Sequence, residues 1–384
     1  MRELQDYRKR DLALRISRKV RELIGELKRS RNSKRISIMG FCGTHEWTIT
    51  HYGIRALLPK EVELIAGPGC PVCVTPPGYV DAAIRLAEEG ITILTYGDAY
   101  RLPGSGAKGR SRSLAEARSL GSDVRIVYGF TDAVKLASSL RKEAVFLAVG
   151  FETTAPTTAS WLTSREVPDN LSLISAYRLT PPIMRYILEE VPELPLDGII
   201  APGHVSAILG SRAWEFVAKD YGVPIVVAGF EPVDVLLSVL MILKQLLRGR
   251  VELDNEYTRV VKPEGNPTAK ALMARCFDVV GAEWRGIGRV KGSGLALKRG
   301  FSRFDATERY GIGDIVKKSG SKMPIGCKCA DVVVGKAKPT QCPLFMKRCK
   351  PTDPYGPCMV SSEGTCSIWA RYGSYEEIED LVSG

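Results

Sequence analysis

Histidine is almost missing from this chain: there are three in 384 residues, and none stands among its C-terminal cysteines. That scarcity argues there against the mixed Cys–His ligand sets of many zinc modules. No apolar run is long enough for a membrane span, and the N-terminus lacks the short apolar core of a secretory signal. No G-x-x-x-x-G-K-[ST] phosphate loop occurs, and the G-x-G fragments lack the dinucleotide spacing and its acidic follow-up. A bound nucleotide is therefore not expected. The net charge of +11 is not gathered into an aromatic-rich basic stripe; outside the N-terminal arm, Lys and Arg are interleaved with acids. Neither nucleic acid nor a membrane is an expected partner. The expected setting is cytoplasmic, where thiols stay reduced and serve metals or redox work.

What the chain has is cysteine. It carries ten, six of them between Cys327 and Cys366 in the spacing C-x-C-x12-C-x6-C-x8-C-x7-C. Thiols this dense, in a stretch rich in Pro, Gly and Lys, have three explanations. Disulfide staples suit a short secreted chain. Zinc usually takes paired C-x2-C knuckles, whereas the one close pair here is C-x-C. A [4Fe–4S] cluster tolerates irregular spacing and needs four of the six, freeing two for a redox disulfide. The spacing favours the iron–sulfur reading and leaves zinc open.

Two or three domains are expected at this length. Leu12, Ile16, Val20, Leu23, Ile24 and Leu27 recur at helical spacing, which predicts a basic amphipathic helix over residues 8–31. From Arg35 onward, short apolar runs ending in glycine turns alternate with helical stretches: ISIMGFCGTHE, VELIAGPGCPVC, ITILTYGDAY and VRIVYGF, then AVFLAVGFETTAP, LDGIIAPGHVS and VPIVVAGFEP. Such alternation predicts parallel sheets with function on the loops at the strand C-terminal ends. The predicted fold class is α/β, with two similar parallel-sheet domains (1–130 and 131–250) and a small C-terminal iron–sulfur domain (326–384). Residues 251–325 would connect them and pack back on the α/β domains.

Cys42 stands where a strand turns into a helix, a place where backbone N–H groups favour a thiolate. His45 follows one helical turn later, so the pair could be nucleophile and base or two ligands of one metal. Cys70-Pro71-Val72-Cys73 reads as a redox dithiol or half a metal site. Both motifs end strands of the first set, so their thiols are expected to converge. Cys276, with apolar flanks, is expected in the core, and His51 is read as structural. Glu152 and His204, at later strand ends, line a cleft or cap turns.

GFCGTHE, GPGCPVC and the six-cysteine tail together resemble the [NiFe]-hydrogenase maturation factor family HypD, as do TYGDAYRLPG, GFETTAPTTA, APGHVS, AGFEP and GPCMVSSEGTC. The resemblance runs nearly the whole chain and implies a scaffold for the Fe(CN)2CO group. A small HypC-like chaperone would share the transiently bound iron, with its CN and CO ligands, and a HypE-like donor would bring cyanide as a thiocyanate. The hydrogenase large subunit would be an indirect partner, and the chain a monomer outside these complexes. Residue by residue, the resemblance implies that Cys42 holds the iron, with Cys70 and Cys73 as the redox dithiol beside it. Cys327, Cys342, Cys349 and Cys366 would ligate a [4Fe–4S] cluster, leaving Cys329 and Cys358 as a second redox pair. His45 would donate a proton or bind cyanide, and Glu363 would shuttle protons. The rival expectation is a free-standing [4Fe–4S]-dependent disulfide reductase acting on a thioredoxin-like partner, for which Cys42 would have no use.

Overall fold

The computed structural model describes residues 7–30, 35–106, 109, 111–164, 166–191, 194–318 and 320–373. Residue 31 and the tail after 373, both within the expectations above, lie outside them. Eleven strands form three sheets among the described residues. The first is parallel and runs β2 (Val62–Ala66), β1 (Ile36–Gly40), β7 (Gly198–Pro202), β8 (Ile225–Ala228), β9 (Leu253–Asn255). The second, also parallel, runs β4 (Val124–Ile126), β3 (Thr92–Thr95), β5 (Ala144–Gly150), β6 (Leu171–Tyr177). Strands β10 (Phe277–Trp284) and β11 (Gly288–Leu297) make an antiparallel ribbon.

Two parallel sheets are what the alternation predicts, but the strands are shared out differently from a division near residue 130. β3 and β4, expected beside β1 and β2, pair with β5 and β6. β7 and β8, expected in the second set, join the first sheet, β7 pairing with β1 and β8 with β7, and β9, from the expected connecting segment, adds to β8. The reason is physical. An all-apolar run such as β5, AVFLAVG, is buried along its whole length and marks a central parallel strand, yet says nothing about its neighbour.

The N-terminal helix, Arg10–Ser30, lays Ile16, Val20, Leu23, Ile24 and Leu27 against the helix Pro232–Arg248 that covers the first sheet. Leu12 sits only at the margin of that core, and Ala13 is buried in its place. No helix among the described residues is long and apolar enough to cross a membrane. The β10–β11 ribbon packs on β6, where the Ser175 hydroxyl donates to Leu295 O at 2.6 Å. Cys276 is fully buried, with its thiol 3.5 Å from Ala159 O, a core position as expected. The cysteine block is not walled off: Cys329, Cys342, Cys349, Cys358 and Cys366 share one apolar core with the helix Pro77–Glu88 and with β3 and β5.

Strand order also fixes where chemistry can sit. In the first sheet the chain runs outward to one side after β1 and to the other after β7, so the crevice lies beyond the ends of these two strands. Cys42 follows β1. In the second sheet the same reversal falls between β3 and β5, which places Asp98 and Glu152 at its crevice.

Glu152 turns out to be a cap. It is fully buried and accepts from the Thr180 N–H at 2.6 Å and the Thr180 hydroxyl at 2.8 Å, at the start of the helix Thr180–Glu190. Burial raises its carboxyl from 4.5 to about 7, against the two Thr180 bonds that lower it. Between these pH values the folded chain holds a proton that the unfolded chain has lost, so stability falls as pH rises through the window. Glu152→Gln keeps an acceptor for the Thr180 N–H and cannot ionise. Anaerobic urea unfolding should show the variant matching the parent near pH 5 and exceeding it near pH 8 by up to about 3 kcal/mol. Equal pH slopes in both proteins would refute this account of the cap.

Candidate functional site

Three thiol motifs meet at the ends of β1 and β2. The strands are parallel neighbours, so their C-terminal loops lie side by side: the Gly67 N–H donates to Gly40 O at 2.8 Å, and the Gly43 N–H to Gly69 O at 3.3 Å. Glycine is required at the crossing, because a methyl on Gly69 would lie 2.5 Å from the Cys42 Cα. Cys70 follows at once and caps the short helix Pro71–Val74, its sulfur accepting from the Cys73 N–H at 3.1 Å. Cys70 and Cys73 are joined as a disulfide.

The third motif arrives from the far end of the chain. A Cβ on Gly43 would meet the backbone carbonyl of Glu363, and its Cβ at 2.7 Å, so the Glu363 loop lies directly on the Cys42 turn. Two clamps hold it there. The Asp98 carboxylate accepts from the Ser361 hydroxyl at 2.8 Å and from the Ser362 N–H and hydroxyl at 3.0 Å. The Trp369 indole donates to the buried Glu46 at 2.6 Å, and Arg55 both pairs with Glu46 at 2.8 Å and covers the Trp369 ring. The second clamp ties the helix Thr365–Tyr372, which carries Cys366, to the helix Gly43–His51.

Cys42 is partly exposed at the N-cap of Gly43–His51. Burial, then the nearby Glu363, pushes its thiol up to about 11. The N–H groups of Thr44 and His45 and the Thr44 hydroxyl pull the other way and lose, so the resting group is a thiol and not the thiolate that its helix position suggests. Burial also raises the Glu363 carboxyl, as does Asp98, while the Thr44 hydroxyl opposes them. Thr44 thus touches both groups.

His45 is brought near Cys42 in the backbone only. Its ring is buried, with Nε2 donating to Gly229 O at 2.9 Å and Ala228 O at 3.3 Å, and Nδ1 has no partner. Burial lowers it to about 4, so it is a neutral ring at ordinary pH. Phe230 stacks on it at 4.7 Å and on the exposed His204 at 3.8 Å. His51 lies in an aromatic group with Trp47, Tyr52 and Tyr372.

The six C-terminal thiols gather in one place, and the short helix of Cys358, Pro357–Val360, packs on the Cys70–Cys73 helix. Cys329 hydrogen-bonds with Cys327 and Cys358, and Cys358 also with Cys366. Burial alone would raise the Cys329 thiol; its bonds with Cys327 and Cys358, the Cys358 N–H and Arg285 outweigh it and hold it well below its ordinary value. Cys358 is pushed up by Cys329, then Cys366. Among the described residues no three His, Cys, Asp or Glu are arranged to hold a single ion. The thiol set does fit a larger polynuclear group. The N–H groups of Tyr355 and Gly356 point at the Cys349 sulfur at 3.4 and 3.3 Å, and a methyl on Gly356 would fall 2.6 Å from the Cys327 sulfur. Thiolates cradled by backbone N–H groups are the donor set of iron–sulfur clusters.

Sequence reasoning did not single out Glu46, Arg55, Asp98, Arg285 or Trp369. Glu46 sits inside the quoted GFCGTHE, and a charged residue on the inward side of so short a helix was the available signal. Asp98, Arg285 and Trp369 make their contacts across long sequence separations, and Arg55, nine residues from its partner Glu46, meets Trp369 across a long one.

The family model described as the hydrogenase formation hypA family, HypD, matches residues 18–373. Hydrogenase maturation factor HypD of Cupriavidus necator is 40% identical over 394 residues, covering 98% of this chain and 99% of that protein. The protein of the same name from Azotobacter vinelandii is 44% identical over 346 residues, 88% of this chain and 89% of its own. That of Rhodobacter capsulatus is 41% identical over 351 residues, 90% and 92%.

Proposed function

Starting from the chain's membership of the HypD family of hydrogenase maturation factors, we propose that it is the scaffold on which the Fe(CN)2CO group of a [NiFe] hydrogenase is built. A HypC-like chaperone shares the iron, a HypE-like protein delivers cyanide as a thiocyanate, and the hydrogenase large subunit receives the product indirectly. The observation that carries this reading is the meeting of Cys42, the Cys70–Cys73 disulfide and the Glu363 loop at one strand-end crossing.

The iron is cargo, held by the Cys42 sulfur, and a soft thiolate suits a low-spin iron bearing CN⁻ and CO. Cys42 rests protonated, so taking up iron releases a proton. Thr44, in touch with both groups, gives that proton a path to Glu363. His45 is neutral and its N–H is committed to carbonyls, so it offers an acceptor and braces the Cys42 helix against the end of β8.

Cleaving the S–C bond of a thiocyanate to leave CN⁻ on iron takes two electrons, and the carrier sulfur departs as a thiolate. The dithiol form of Cys70 and Cys73 supplies both electrons, gives up two protons and closes to the disulfide. Cys329 and Cys358, in the helix packed against that pair, can reopen it by thiol exchange. Cys327, Cys342, Cys349 and Cys366 would hold a [4Fe–4S] cluster, which supplies single electrons when bound.

Infrared spectroscopy of the anaerobically purified chain, co-produced with a HypC-like partner, tests the scaffold. Bands of iron-bound cyanide and carbonyl are expected from a brown protein. A brown protein without those bands would return the reading to a disulfide reductase, and a colourless one would favour zinc.

A further inference from the structure

Arg285 has no part in the chemistry above, yet it is among the most deeply buried charges of the chain, at 2% exposure. It stands at the turn between β10 and β11, where its backbone N–H donates to Val74 O at 2.7 Å. Its side chain lies on the wall of a cavity of about 680 Å³ whose lining includes no cysteine. Residues 101–106, after β3, form one side of that cavity, and the helix Leu114–Ser119 with Arg112 before it forms another. Residues 322–325 and 353–355, which flank and enter the cysteine block, close the rest.

The guanidinium is poorly answered. Among the described residues only its Nη1 is matched, donating to Pro103 O at 2.8 Å; Nε has no partner, and no carboxylate forms an ion pair with it. After the thiols of Cys329 and Cys327, the charge most felt there is that of Asp81, which is engaged by the Ser105 N–H at 2.9 Å. An unpaired buried cation is costly unless an anion meets it. The rest of the lining adds to the imbalance. Arg112 pairs with Glu116 at 3.5 Å and Arg348 with Asp353 at 2.6 Å, so both acids of the lining are taken. Arg101 gives its Nη2 to a neutral carbonyl, Thr352 O, at 2.9 Å, and Lys322 has no ion pair among the described residues. Arg101, Arg285 and Lys322 thus share one cavity without a counter-charge.

We propose that this cavity is a binding site for a small organic phosphate, its phosphoryl oxygens held by Arg285, Arg101 and Lys322. A phosphoryl group carries about two negative charges at neutral pH. Cations arriving from three separate stretches suit its three oxygens, whereas a planar carboxylate is met by a single guanidinium fork. The volume falls within the range of small-molecule pockets, and Pro77, Met323 and Pro324 give the organic part an apolar wall. Arg285 is the anchor, since its backbone is fixed at Val74 and its side chain is the deepest of the three. An occupant would tie residues 322–325 and 353–355 to the loop after β3, and so seat the cysteine block on the second sheet.

Isothermal titration calorimetry on the full, anaerobically prepared chain at low salt tests this with pyrophosphate, phenyl phosphate and citrate as probes. At least one of the two phosphates should bind one to one, with a Kd of about 1 mM or tighter. Arg285→Gln should weaken that binding about tenfold or more and Lys322→Gln about threefold. Lys317→Gln, outside the cavity, should leave it unchanged. Far-ultraviolet circular dichroism reports whether Arg285→Gln folds. Hydrogen exchange of the parent needs no variant: at about ten times Kd the bound phosphate should slow exchange in peptides spanning 322–325 and 353–355 by up to about tenfold. If neither phosphate binds, or neither protects those peptides, the guanidinium answers only to the thiols and the inference fails. Citrate binding more tightly than both phosphates would overturn the ligand class. A folded Arg285→Gln that binds like the parent would refute the site.

Discussion

Cys42→Ala is expected to remove every infrared band of iron-bound cyanide and carbonyl from the complex, while the brown colour of the C-terminal block persists. The effect is all-or-none because, on the proposed reading, Cys42 alone of this chain's sulfurs holds the cargo, and the imidazole of His45, turned toward the carbonyls of Ala228 and Gly229, cannot replace it. Cys42→Ser should fail nearly as badly, since a hard hydroxyl is a poor ligand for an iron that carries CN⁻. Neither change empties much of the core: Cys42 is partly exposed, so a stability loss within about 1 kcal/mol is expected, in the range of surface substitutions. Bands that survive in Cys42→Ala at parental intensity would move the iron elsewhere and end the proposed role of this residue.

The second large effect needs no thiol to be touched. Gly43→Ala drives a methyl into the backbone carbonyl of Glu363, which is held from behind by Asp98 through Ser361 and Ser362. Backbone on backbone cannot yield by a rotamer change, so the loop must leave the Cys42 turn or the helix start must move, at a cost of roughly 1–3 kcal/mol. Hydrogenase maturation in a complementation assay should fall to background, although all ten cysteines remain. Gly25→Ala is the matched control. Gly25 lies in the N-terminal helix, where an added methyl would meet nothing within 4 Å, and alanine there should raise stability by about 0.5–1 kcal/mol and leave maturation intact. Normal maturation in Gly43→Ala would mean that the contact between the two ends of the chain is dispensable.

Much of this site is legible before any coordinates, because cysteine spacing is local information. GFCGTHE and GPGCPVC each announce a strand, a glycine turn and a thiol, and the parallel pairing of β1 with β2 brings them together as expected. The N-terminal helix is legible for a similar reason, its apolar face repeating every three to four residues. Strand partnership is not local. β1 finds β7 only after the whole second sheet has intervened, and nothing in ISIMG names LDGIIAP as its neighbour. The β10–β11 ribbon hides for another reason: glycines at 281, 286, 288, 292 and 294 break the alternation by which a strand is read, and the register shifts between Val280 and Ala282. Arg285 is invisible in the same stretch, since a lone arginine after a tryptophan looks like one more surface cation. The clamps of Glu46 on Trp369 and Asp98 on Ser361 join residues more than 260 positions apart, and only the folded chain shows them.

The interleaving of the two sheets has a consequence for how the protein is born. β1 and β2 leave the ribosome early, but the strand that closes on β1 begins at Gly198, after the whole of the second sheet. At ordinary rates of synthesis the Cys42 and Cys70–Cys73 loops wait on the order of ten seconds for their sheet to be completed, and longer for Glu363 to roof them. During that wait the second sheet can form without its elder neighbour, while three nucleophilic sulfurs sit on an unfinished edge. The newborn chain is thus most open to mispairing and stray metal before its last residues are made, and the C-terminal block, arriving last, seals the thiols it will later serve.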